Sequence, residues 1–288
     1  MRVQWILWLA CVQTPQDRPV SPEPSALEHP APDSWTVEIF PEERIYEPYR
    51  ADPRQSRSGS KIQFPVRGRG RDIKIENALG GSRPLALWSD PRDSRRSMEL
   101  SLEAAVFSRF DIPEQWDMDA ADYRFGFPFV YREGPVALKV HVWHLTSHLG
   151  DEYLSRVEGA ERLSYHLEEL ALGMAVDLAS VGRAYAEVGL PLYVGSDTEG
   201  GRVQLGLEWV DAAPPGGPGP YAAADLHARR EQDWDPGLTV QLGLLRKPSS
   251  PGGTTLRGFL EYYRGPEQQT QFLSEREHYW AVGFAADF

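Results

Sequence analysis

Three side chains near the middle of the chain have the types and spacing of a nucleophile, a base and an orienting acid: Thr146, His144 and Glu168. On an extended strand residues i and i+2 share a face with Cα atoms about 6.6 Å apart, so the His144 imidazole can lean onto the Thr146 hydroxyl. His144 would then take the hydroxyl proton and Glu168 would fix its tautomer, the logic of an ester hydrolase. Ser147 is the better hydroxyl, but the two-residue period sends it to the opposite face unless a bulge intervenes, and His166 is an alternate member of the set. The competing reading is a collar of polar side chains satisfied by water. A metal is a further alternative: His144, His148 and His166 could converge, with Asp151 and Glu152 in the adjoining loop. Imidazoles suit zinc and loop carboxylates suit calcium. No spacing here is a recognised metal motif, so no cofactor is expected beyond that possible divalent cation. His141 and His227 are expected as hydrogen-bonded interior residues.

These residues sit on a chain dominated by alternation. The last eleven residues, HYWAVGFAADF, place Trp280, Val282, Phe284, Ala286 and Phe288 on one face with small or polar residues between, which is a strand with an aromatic terminus. The same period runs upstream through Leu256–Tyr263, Leu238–Leu244, Ala222–Arg229, Arg202–Trp209, Val181–Gly195, Glu169–Asp177, Val136–Trp143, Asp122–Arg132 and Ser97–Phe110. Asp72–Ala78 and Arg83–Ser89, separated by Gly80-Gly81, complete the set as an opening hairpin. That makes about twelve strands.

Two features favour a membrane barrel over a soluble β-sandwich, which would also alternate. Charges keep to one parity: Glu99, Glu103 and Arg109 oppose Met98, Leu100 and Leu102. A one-residue slip would turn those charges outward, at roughly 2–4 kcal/mol for a midplane Arg or Lys. Connection lengths also alternate. If the final strand runs down into the periplasm, the short links at Glu133-Gly134 and Ala179-Ser180 fall on the periplasmic side and the longer 148–161 and 265–275 fall outside. The linker 211–220 fits that rule less well. A twelve-stranded antiparallel barrel is of a size that side chains can largely fill. The inward set, including Arg124, Arg132, Trp143, Tyr185, Tyr193 and Tyr263, reads as a paired, plugged interior.

Composition is compatible with this. The chain has 288 residues and a net charge of −12, which argues against nucleic acid as a partner. Its mean hydropathy of −0.46 is too polar for a helical membrane protein but not for a barrel. Residues 1–11 read as an export or lipoprotein signal ending at Cys11, the only cysteine. Residues 12–70 read as a proline-rich linker followed by an irregular periplasmic segment, and 71–288 as the barrel.

The segments ADYRFGFPFVYREG (121–134), WHLTSHLGDEYL (143–154), EQDWDPGLTVQLGL (231–244) and LEYYRGPEQQTQFLSEREHYW (260–280) resemble the bacterial domain of unknown function 1207, over residues 45–288. The resemblance implies a Gram-negative envelope protein of the outer-membrane barrel type, and it implies no activity. Locally, His144-x-Thr146 on an outward face is similar to outer-membrane phospholipase A, with Thr146 in place of its serine. Expected partners are outer-membrane lipids and, through the strand ending at Phe288, the barrel-assembly machinery. Three functions remain open: a structural or surface-facing barrel, an outer-leaflet lipid acyl hydrolase, and a small-solute channel.

Overall fold

The computed structural model describes residues 34–67, 73–179, 182–211, 217–250 and 252–288. The expected signal with Cys11, and the linker up to residue 33, lie outside the described residues. Alternation becomes strand as expected: β1 (Thr36–Ile39), β2 (Ser58–Arg67), β3 (Lys74–Ser89), β4 (Arg96–Asp111), β5 (Asp117–Glu133) and β6 (Val136–Leu149) come first. After the short helix α1 (Asp151–Arg156) follow β7 (His166–Leu178), β8 (Gly182–Val194), β9 (Arg202–Val210) and β10 (Pro218–Arg229). Last come β11 (Gly237–Arg246), β12 (Thr255–Pro266) and β13 (Arg276–Asp287). Among the described residues, the twelve strands β2 to β13 pair antiparallel into a ring in which β2 joins β13 to β3. β1 stands outside the ring, paired with Ala86–Ser89 of β3.

The strand count agrees with expectation for two reasons that offset. Asp72–Ala78 and Arg83–Ser89 are not a hairpin but one continuous strand, β3. Gly80 and Gly81 stay extended and pair with Ala105 and Ala104. A Cβ at Gly80 would stand 2.1 Å from the Ala104 carbonyl oxygen, so this glycine permits a close strand approach and makes no turn. Conversely, Ser58–Arg67 is a ring strand, so the barrel begins at Ser58 and not at residue 71. Pro65 is accommodated there because the β2–β13 register shifts at His278/Tyr279.

Parity holds along the wall. Glu99, Ser101, Glu103 and Arg109 of β4 are buried inside, while Phe125, Phe127 and Phe129 of β5 and Leu138, Val140 and Val142 of β6 are exposed outside. Tyr193, expected inside, faces outward and is 58% exposed. A bulge in the β7–β8 pairing sets Glu168 opposite Tyr193 and Glu169 opposite Pro191, so Leu192 is the extra residue that reverses parity beyond it.

Wall side chains and two stretches of chain enter the interior. Residues 44–57, expected as an irregular periplasmic segment, lie within the ring. The Tyr49 ring stacks on Tyr185 at 3.7 Å, and its hydroxyl bonds Glu187 at 3.2 Å. Arg50 pairs with Glu208, Ser56 donates to Glu103 at 2.9 Å, and Arg132 and Arg183 donate to the carbonyls of Ile45 and Glu47. From the opposite end, the link between β12 and β13 folds inward. Its Gln268, Gln269 and Thr270 are buried, and Gln271 donates to the carbonyls of Ser147 and Leu163. The two insertions meet at Asp122, which is 0% exposed. Arg54 pairs with its carboxylate from one side, and the Thr270 hydroxyl (2.7 Å) and backbone N–H (3.2 Å) donate from the other. Interior cavities among the described residues include one of about 210 Å³ beside Arg109 and Glu277 at the α1 end, one of about 70 Å³ beside Arg54, Trp143 and Arg202, and one of about 40 Å³ beside Arg57, Lys61 and Glu261.

Candidate functional site

Strand alternation puts His144, Thr146 and His148 of β6 on the outer wall and leaves Ser147 buried inside, with no bulge in β6 to turn it out. Pairing then builds two rows across neighbouring strands. Phe125, His144, Glu168 and Tyr193 are directly opposed on β5, β6, β7 and β8, and Tyr123, Thr146 and His166 form the next row. His144 Nδ1 lies 3.7 Å from the Glu168 carboxylate and His166 Nε2 lies 3.9 Å from the same oxygen. The two imidazoles meet edge to face with centroids 4.6 Å apart. Phe125 packs on His144 and Tyr193 on His166, each at 5.2 Å, so aromatic rings flank the group on both sides.

The structure therefore joins His144, Glu168 and His166, while Thr146 shares their face without engaging them. Its hydroxyl makes no hydrogen bond with His144, and the imidazole interacts across the strand pair instead. The arrangement lacks the contact between base and nucleophile that acyl transfer needs. The metal candidates separate as well. His148 packs against Tyr123, Asp151 pairs with Arg162, and Glu152 is exposed on α1. Among the described residues the grouping that could share one ion is His144, His166 and Glu168. Of the two interior histidines, His227 bonds Asp225 at 3.4 Å, but His141 Nε2 has no protein partner, because it is packed against Gly126 and not against an acceptor.

A second polar site at the α1 end of the barrel escaped sequence reasoning. A cavity of about 210 Å³ is lined by Lys74, Arg109, Arg156, Asp111, Asp119, Glu267 and Glu277. Arg109 binds Glu267 (2.7 Å), Glu277 (3.0 Å) and Glu76 (3.1 Å), while Lys74 and Arg156 each reach Asp111 and Asp119. Every base faces acids, so the cavity carries no single sign of charge for a ligand. Beside the separate cavity of about 70 Å³, Tyr165 donates to Glu231 at 3.0 Å. Burial pushes the Glu231 carboxyl up from its ordinary range, and Arg229 opposes that shift. These partners come from strands, links and α1, far apart in sequence, so no local spacing signals them.

Fold and site define a closed antiparallel β-barrel with residues 44–57 and the β12–β13 link folded inside it and a polar patch on its outer wall. The family model described as "Protein of unknown function (DUF1207)" matches residues 9–288, and the chain belongs to that family. No curated protein matches. Among solved structures the chain is similar to a KdgM porin, at 6% identity over 80% of this chain and 98% of that one, with a TM-score of 0.46. It is also similar to an anion-selective porin from Comamonas acidovorans, at 10% identity over 88% of this chain and 100% of that one, with a TM-score of 0.33.

Proposed function

We propose that this chain is an outer-membrane β-barrel, closed to solutes, with a structural or surface-facing role. The observation that carries the reading is the division of the wall: an apolar outer face around an interior filled by residues 44–57 and the β12–β13 link. An apolar band around a closed ring is what a bilayer accepts, because every backbone polar group in the hydrocarbon is paired. The buried ion pairs speak against a solute path. A water needs roughly 10–15 Å³ of such space, so the cavities of about 70 and 40 Å³ hold only a few waters, and the larger one of about 210 Å³ at the α1 end is lined by acids and bases already paired with one another. The α1 end, carrying the longer links, would face the cell exterior, and Phe288 would face the periplasm and the assembly machinery. A lipid hydrolase would need Thr146 to move within reach of His144, and a channel would need residues 44–57 to leave the lumen.

Location and orientation can be tested by labelling. In a Cys11→Ser background, Glu158→Cys in the link after α1 should react on intact cells with a membrane-impermeant maleimide. Ser94→Cys, between β3 and β4, should react only after the outer membrane is broken. Equal labelling of both on intact cells, or of neither after lysis of outer-membrane fractions, would count against the reading.

A further inference from the structure

We infer that His144, His166 and Glu168 form a divalent transition-metal site on the outer wall, of the kind zinc occupies with two imidazoles and one carboxylate. One ligand atom from each residue lies within 4.8 Å of the other two. Zinc holds nitrogen and oxygen ligands at about 2.0–2.2 Å in a tetrahedron, which sets neighbouring donors roughly 3.3 Å apart. The observed 3.7 and 3.9 Å to the shared carboxylate oxygen need only small side-chain rotations to reach that spacing.

Rigid elements supply the placement. His144 and Glu168 are direct cross-strand partners and His166 is the diagonal neighbour, so the β6–β7 register fixes all three Cα atoms. Phe125 and Tyr193 restrict the two imidazoles from either side. The group lies past the apolar Leu138, Val140 and Val142, toward the α1 end of β6, and its side chains are 23%, 39% and 48% exposed, so an ion can reach it from that end without opening the barrel. Two imidazoles select zinc and its transition-metal neighbours over calcium or magnesium, which take oxygen ligands. Three protein ligands leave the fourth position to water. The site is independent of whether the lumen is closed.

The test is calorimetric titration of the full, folded chain in detergent micelles with zinc chloride, and separately with calcium chloride. One equivalent of zinc should bind, with no comparable calcium uptake. His144→Ala, His166→Phe and Glu168→Gln should each weaken zinc binding by at least about tenfold, since even residues that only orient ligands account for that much. His148→Ala, outside the group, should leave it unchanged. Cobalt(II) chloride gives a second readout: a visible absorption band of tetrahedral type with the native chain, lost in the three variants. Each variant is judged only where its strand circular dichroism and heat-modifiable gel mobility match the native chain, and the three substitutions are alternatives if one fails to fold. Absence of stoichiometric zinc uptake would overturn the site. So would uptake that survives in the folded variants, or that falls equally with His148→Ala.

Discussion

At the scale of single residues, Asp122 is where the molecule is most vulnerable. It is fully buried and joins the inserted Arg54 to Thr270 of the opposite insertion. Replacing it leaves a buried guanidinium without its partner, which typically costs about 3–5 kcal/mol. Asp122→Ala should therefore lower the urea midpoint of the barrel in lipid vesicles, whereas Ser94→Ala in an exposed link should not. Glu231 gives a pH signature. Its carboxyl is raised by burial, so the folded state holds the proton more tightly than the unfolded chain. That contribution to stability is present below the ordinary carboxylate range and is lost as pH rises through the raised folded value. Glu231→Gln keeps an acceptor for Tyr165 and removes the titration. Unfolding midpoints should accordingly fall less with rising pH in the variant than in the native chain. The residue types of the outer-wall group were legible in the sequence because parity alone places His144, Thr146, His166 and Glu168 together. What spacing could not supply was the direction of the imidazole, which lies across the strand pair and not along its own strand.

Among the elements, those with strict two-residue alternation were legible, since burying one face of a strand leaves a pattern in which a single slip exposes every charge. The failures occur where that signal weakens. Gly80-Gly81 reads as a turn, yet it is a close approach of β3 to β4, and Leu192 adds a residue that turns Tyr193 outward. Ser58–Arg67 was obscured by Pro65, which a register shift absorbs. A continuous β3 predicts that the amides of 79–82 exchange with solvent as slowly as those of the rest of the strand. A turn there would exchange fast. The wall gives a sharper test: Leu205 of β9 faces outward at 55% exposure. Leu205→Arg should destabilise the inserted barrel by roughly 2–4 kcal/mol in vesicles, the cost of a cation facing lipid near the midplane.

For the molecule as a whole, the role of residues 44–57 was the least legible feature. They are rich in proline and charge, which reads as linker, and nothing local reveals that Glu103, Asp122, Glu187 and Glu208 wait for them on four different strands. The ring and its contents are separable in sequence but not in packing, so a barrel proposed to span the outer membrane should span it closed. The direct measurement is single-channel conductance in planar bilayers, comparing the full chain with a chain lacking residues 44–57. The full chain should give no steady ion-conducting steps, and the shortened chain, if it still shows heat-modifiable mobility, should conduct or flicker. Steady conductance by the full chain, unchanged when the segment is removed, would contradict the closed barrel and return the protein to the channels.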